Sequence, residues 1–136
     1  MVFVLGMSLI AGQGLAGGCG GLMIRDREGK PLVRIGPGGV VRTAAGVLVG
    51  RVGPDVRDRT GALVGRVSRR GTIRDGAGRI VAVVRGREVW SPPGVLRFRF
   101  GPDGTVRNPE GHLELRVEGC RPECLGRVAA WLVLLR

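Results

Sequence analysis

One phrase recurs six times along the chain: an Ile or Val, a residue that is usually Arg, a short polar residue, two variable residues and a glycine. It stands at 24–29 (IRDREG), 41–46 (VRTAAG), 56–61 (VRDRTG), 73–78 (IRDGAG), 89–94 (VWSPPG) and 106–111 (VRNPEG), with starts 15 to 17 residues apart. A fixed short period marks a chain built by duplicating one supersecondary unit. Each repeated residue is therefore explained first by repeated packing and only then by chemistry.

The seven residues that open on each glycine repeat as well, most clearly in GVLVGRV at 46–52 and GALVGRV at 61–67. Counting the glycine as the first, the third, fifth and seventh are mostly apolar (Leu48, Gly50, Val52; Leu63, Gly65, Val67; Leu96, Phe98, Phe100; Leu113, Leu115, Val117), and the sixth is Arg in five of six copies. That period of two predicts a strand with one buried face. The β-branched residue and Arg before the turn predict a shorter partner strand. Asp, Asn, Ser or Thr at the first turn position with Gly at the fourth matches a type I turn, whose small polar side chain accepts bonds from the backbone. Each unit reads as a β-hairpin.

The connectors, such as GPGGV at 36–40, GPD at 53–55, SRRGT at 68–72 and GPDGT at 101–105, are too short for a crossover helix. The expected fold is all-β, with about six tandem antiparallel hairpins. A single hairpin is marginal in water and exposes its edges, so the array is expected to close into a ring, small barrel or propeller-like flower, with an open solenoid as the competing arrangement. The 136 residues suit one domain. Most of the 26 glycines fall at repeat turns or at the small inward position, where Gly50, Gly65 and Ala82 leave room near a crowded axis.

Three segments follow: an apolar, Gly-rich stretch at 1–23, the hairpin domain at 24–117, and a Cys-containing turn with an apolar terminal strand at 118–136. Residues 1–18 are similar to a secretory signal or to the leader ahead of a lipoprotein cysteine, here Cys19. The alternative is an apolar strand packed on the ring. An exported or membrane-anchored location is favoured over a cytoplasmic one. VAAWLVLLR at 128–136 is too short to span a membrane and is expected to be a strand covering one end of the core, with Trp131 as filler and helix content near nil.

Charge is the strongest surface signal: 22 Lys and Arg against 11 acidic residues, all but Lys30 of the basic ones being Arg. Arg25, Arg42, Arg57, Arg74 and Arg107 recur on the first strand and Arg34, Arg51, Arg66, Arg99 and Arg116 on the second, all expected outward. A ring would turn them into a cationic belt that attracts nucleic acid, anionic lipid or acidic polysaccharide by a salt-sensitive, sequence-independent force. The plainer reading is that Arg solvates the outer strand faces. Aromatic residues weigh for the plainer reading, since Trp90 is the only one expected outside and Tyr is missing.

Cys120 and Cys124, spaced C-R-P-E-C, are candidates for a small disulfide loop, leaving Cys19 for lipidation or removal with a leader. Cysteine at CxxxC with the lone His112 is a weak zinc signal, and no metal or cofactor is expected. Ser8, Ser68 and Ser91 have no base beside them in sequence. Asp26, Asp58 and Asp75 read as turn-capping acceptors rather than paired catalytic carboxylates.

The phrase [VI]-R-D-x-x-G-x-x-V-G-R-V, followed by a G-T turn and a new copy, resembles the bacterial β-flower repeat proteins over residues 24–117. The resemblance implies short hairpins around a pseudo-rotational axis and supplies no site residues. This chain departs from it in the fifth unit, where Val89-Trp90-Ser91-Pro92-Pro93-Gly94 replaces the Arg-Asp phrase, and in having six units rather than four or five. The expected role is a non-enzymatic structural or interaction module, exported or envelope-associated, whose partner, a homo-oligomer included, is unspecified. The first alternative is a polyanion-binding module using the Arg belt, and the second a small enzyme with a pocket near His112, Cys120 and Cys124.

Overall fold

The computed structural model describes residues 21–119 and 121–136. Twelve strands form six hairpins in chain order: β1 (Leu22–Asp26) with β2 (Pro31–Ile35), β3 (Val40–Thr43) with β4 (Leu48–Arg51), β5 (Asp55–Asp58) with β6 (Leu63–Val67), β7 (Thr72–Asp75) with β8 (Ile80–Arg85), β9 (Glu88–Ser91) with β10 (Val95–Phe100), and β11 (Thr105–Arg107) with β12 (Leu113–Glu118). Every strand pairs antiparallel with its sequence neighbours, and β12 pairs with β1 through Val117 opposite Ile24, so the sheet is a closed barrel. Of the two sequence-level alternatives, the ring is the one formed.

The turns form as the small polar residues dictate. The Asp58 carboxylate accepts from the Thr60 and Ala62 N–H groups at 2.8 and 3.1 Å, Asp26 and Asp75 do the same two and four residues on, and Asn108 accepts from His112 N–H at 2.9 Å. The glycine closing the third turn, Gly61, has φ +88°, a left-handed conformation that other residues adopt only at a cost.

The β-branched residue of all six phrases, Ile24, Val41, Val56, Ile73, Val89 and Val106, points inward and is completely buried. On the second strands the expected alternation holds for the fifth and seventh positions and fails at the third. Each hairpin slips register once, as between Val41 and Arg42, so that Arg42 lies opposite Leu48 while Val49 is the extra residue. The slip recurs in all six hairpins. This β-bulge turns Leu32, Val49, Val64 and Val81 against the core and leaves Leu48 and Ile80 exposed on the outer side.

The C-terminal segment corrects the expectation of a terminal strand and of negligible helix. A 3₁₀ turn at Pro122–Cys124 leads into α1 (Leu125–Ala130), which continues as a π-helical stretch over Trp131–Leu135. The physical reason lies in the closure. A sealed barrel offers no free edge for a thirteenth strand, and a segment placed in its apolar interior must satisfy its own N–H and C=O groups, which a helix does and a lone strand does not. The sequence suits it, being apolar all round from Val128 to Leu135. Leu125, Val128, Ala129, Ala130, Trp131 and Leu132 are buried, in one core with the inward strand residues.

The helix fits because the inward fifth position is unequal around the ring: Val33, Gly50, Gly65, Ala82, Phe98 and Leu115. A Cβ at Gly65 would run into Leu134 and the Arg74 carbonyl, and one at Gly50 into the Arg57 carbonyl with Leu135 Cδ1 at 3.2 Å. The helix tip leans on the side of the barrel where side chains are smallest.

Candidate functional site

Strand alternation around a closed barrel sends the residues next to each buried Ile or Val outward, and all ten arginines of the expected belt lie there, exposed except for the half-buried Arg25. The first-strand members have a local task. Arg25, Arg42, Arg57, Arg74 and Arg107 each donate from Nη1 to the carbonyl of their own turn glycine, at 2.9 to 3.2 Å. These bonds span a hairpin mouth and explain the Arg of the phrase without any partner.

The second-strand arginines have no such explanation. Where one hairpin meets the next, they stand directly opposite the first-strand arginines: Arg34 opposite Arg42, Arg51 opposite Arg57, Arg66 opposite Arg74, Arg99 opposite Arg107, and across the closing seam Arg116 opposite Arg25. Like charges placed directly across a strand pair repel, where opposite charges would have stabilised it. Acidic groups relieve part of this. Glu118 lies 3.3 Å from Arg25, Asp55 3.4 Å from Arg66 and 3.8 Å from Arg57, and Glu88 3.1 Å from Arg99. Among the described residues, Arg34, Arg42, Arg51, Arg74, Arg107 and Arg116 have no acidic group within ion-pair reach.

The sixth junction differs. Between β8 and β9 the two belt positions are held by Val83 and Trp90, directly opposite each other, and Trp90 faces Leu96 on its other side. The indole is half-buried, and its Nε1–H donates to Glu88 Oε1 at 3.2 Å, while the other oxygen of Glu88 accepts from Arg99. One carboxylate thus ties the aromatic ring to a belt arginine. Sequence reasoning names Trp90 as an outer residue and finds Arg at five of the six sixth positions; the exception is Val83. That they fill the same junction depends on the pairing register between units, which the repeat does not encode directly.

Of the remaining expected site residues, the two that are described, His112 and Cys124, do not converge. His112 is exposed beside a hairpin turn, whereas Cys124 is buried near the opposite mouth, where the helix begins. Cys124 is disulfide-bonded. Cys120, expected as its partner, and Cys19, expected as a lipidation site, lie outside the described residues, as do residues 1–20 of the apolar stretch 1–23. Among the described residues no group of three or more His, Cys, Asp or Glu is placed to hold a metal ion, and no helix is long and apolar enough to cross a membrane. A cavity of about 630 Å³ opens at the helix-start mouth between the connectors 53–54 and 68–71, and its lining includes Val67, Arg70, Leu125 and Arg127 but neither His112 nor Cys124.

Two carboxyls are displaced from their ordinary ionisation. Asp58 is held below the usual carboxylate range chiefly by the Thr60 hydroxyl and then by the Thr60 N–H, and Asp103 likewise by the hydroxyl and N–H of Thr105. Both are turn acceptors rather than members of a reacting pair. Comparison with protein-family models, with curated proteins and with solved structures finds no match for this chain.

Proposed function

We propose that the protein is a non-enzymatic binding module whose outward arginine belt holds an extended polyanion. The observation that carries this reading is the set of five Arg–Arg pairs, each placed directly across a junction between hairpins. A surface that only solvates its strands gains from Glu or Asp at one member of each pair, whereas here Glu118, Asp55 and Glu88 reach one arginine in each of four pairs from neighbouring positions and leave its partner uncompensated. Four pairs keep one arginine without an acidic partner (Arg51, Arg74, Arg107 and Arg116) and the Arg34–Arg42 pair keeps two, and an anion held between the members relieves the repulsion that remains. Junctions recur every second strand, about 10 Å apart around the circumference at roughly 4.8 Å per strand, so the belt offers several cationic points to one polymer.

The test is retention on a heparin column together with the salt dependence of affinity for a polyanion. Replacing Arg51, Arg66 and Arg99 by Gln removes one member from three pairs and spares every turn-bonding arginine. Retention should collapse steeply with salt in the parent protein. In the triple variant the slope of log K against log salt should be shallower by about 2, at roughly 0.7 per lost contact for a single-stranded polyanion. Retention and slope both unchanged would overturn the reading.

A further inference from the structure

We infer that the polyanion is a single-stranded nucleic acid and that Trp90 is its stacking platform, an inference that rests on the belt reading above. Five of the six junctions carry arginine pairs, and the sixth carries Val83 opposite Trp90. The aromatic position is flanked on one side by Arg66 and Arg74 and on the other by Arg99 and Arg107, the neighbouring junctions of the closed order. Trp90 is therefore set within the belt, at the height where its partner's charges must run. A polymer that carries only charge has no use for an indole there. A single strand has both phosphates for the guanidinium pairs and unpaired bases with a π-face for the ring, and sequence-independent single-strand binders combine these two devices.

The side chain is also held for the task. Its N–H is anchored on Glu88 Oε1, and Val83 and Leu96 are its direct neighbours across β8 and β10. The indole orientation is fixed before a ligand arrives, which lowers the entropy lost on stacking. Glu88 itself is neutralised by Arg99 at 3.1 Å, so the carboxylate beside the platform does not stand as an open negative charge against a phosphate. A duplex, with its bases stacked internally, offers the ring no free π-face, and sulfated sugars offer none at all.

The experiment uses the full chain and three probes: a fluorescently labelled oligothymidylate, an oligouridylate of equal length, and heparin as a polyanion without bases. Trp90→Leu keeps an apolar side chain on Val83 and Leu96 but removes the π-face, and Trp90→Phe keeps a smaller one. Trp90→Leu should weaken at least one oligonucleotide by about fivefold or more, the low end of the range for loss of one stacked base, while heparin affinity stays within twofold. Trp90→Phe should recover most of the loss. Intrinsic fluorescence should be quenched by the oligonucleotide in the parent protein and not in Trp90→Leu, because the other tryptophan, Trp131, is buried in the core. Equal weakening of heparin and oligonucleotides, or no effect on either, overturns the stacking role and leaves the belt standing. Heparin retention and salt slope both unchanged in the Arg51, Arg66 and Arg99 triple variant overturn the belt itself.

Discussion

Replacing Gly65 by Ala adds one methyl group at the place where barrel wall and helix come closest. The new Cβ would meet the Arg74 carbonyl oxygen of the adjacent strand and the Cδ1 of Leu134. The first obstacle is backbone and yields only by moving β7, whereas the second is a side-chain end that can turn away. Overpacking of this kind costs about 1–3 kcal/mol, and the reduced freedom of the unfolded chain on replacing Gly returns about 0.4–1 kcal/mol. A net loss of about 1–2 kcal/mol follows, read as a fall in the urea midpoint at constant slope by far-ultraviolet circular dichroism. The same inward position holds Ala82 in the fourth unit, buried without difficulty, so the cost is specific to the wall that faces the helix tip. A double-mutant cycle isolates the helix share. If Leu134 is the obstacle, Gly65→Ala combined with Leu134→Ala should be less destabilised than the sum of the two single changes by at least about 0.5 kcal/mol. A neutral or stabilising Gly65→Ala, or a strictly additive cycle, would refute the seating of the helix against this strand.

Two turn predictions follow. Gly61 has φ +88° and nothing within 4 Å of a built Cβ, so Gly61→Val meets backbone strain alone and should cost well over 1 kcal/mol, within about 1–3 kcal/mol for a strained residue; a neutral urea titration would refute the left-handed turn. Asp58 is more acidic in the folded protein than in the unfolded chain, so its stabilisation is present above the unfolded value near 4 and is lost as pH falls through the lower folded value. Asp58→Asn keeps an acceptor of the kind Asn108 supplies in the sixth unit. It should match the parent near neutral pH and lose less thermal stability between about pH 4 and 2; identical acid limbs would refute the assignment.

The hairpins, their turns and the outward arginines are all readable from the repeat, because each depends on residues within one unit: the Asp58 turn closes over five residues and the Arg57 bond reaches only to Gly61. The misread parts depend on context beyond the unit. VAAWLVLLR has the length and composition of a buried strand, and only the closure of β12 on β1 deprives it of an edge and makes it a helix. The bulge that turns Leu48 outward and Val49 inward is a displacement of one residue that apolar side chains at both positions conceal. The belt could be placed outside from sequence, but whether its arginines alternate with acids or face each other is fixed by register between neighbouring hairpins. Arg66 opposite Arg74, and Val83 opposite Trp90, follow from that register and not from either unit alone.

Closure between β1 and β12 also dictates an order of events during synthesis. Residues 22–26 cannot find their second partner until residues 113–118 exist, so every shorter length of the nascent chain carries two bare strand edges and an unfilled apolar interior. The helix that fills that interior follows β12 and is made only after all twelve strands. Local hairpins form early and fast, while sealing the ring waits on a contact between the two ends of the array, the kind of non-local pairing that slows folding and leaves intermediates open to association with other chains. The arginines across each junction then have a second effect on these intermediates. On an unsealed edge they repel an identical edge from another molecule, which favours completion within one chain over joining with a neighbour.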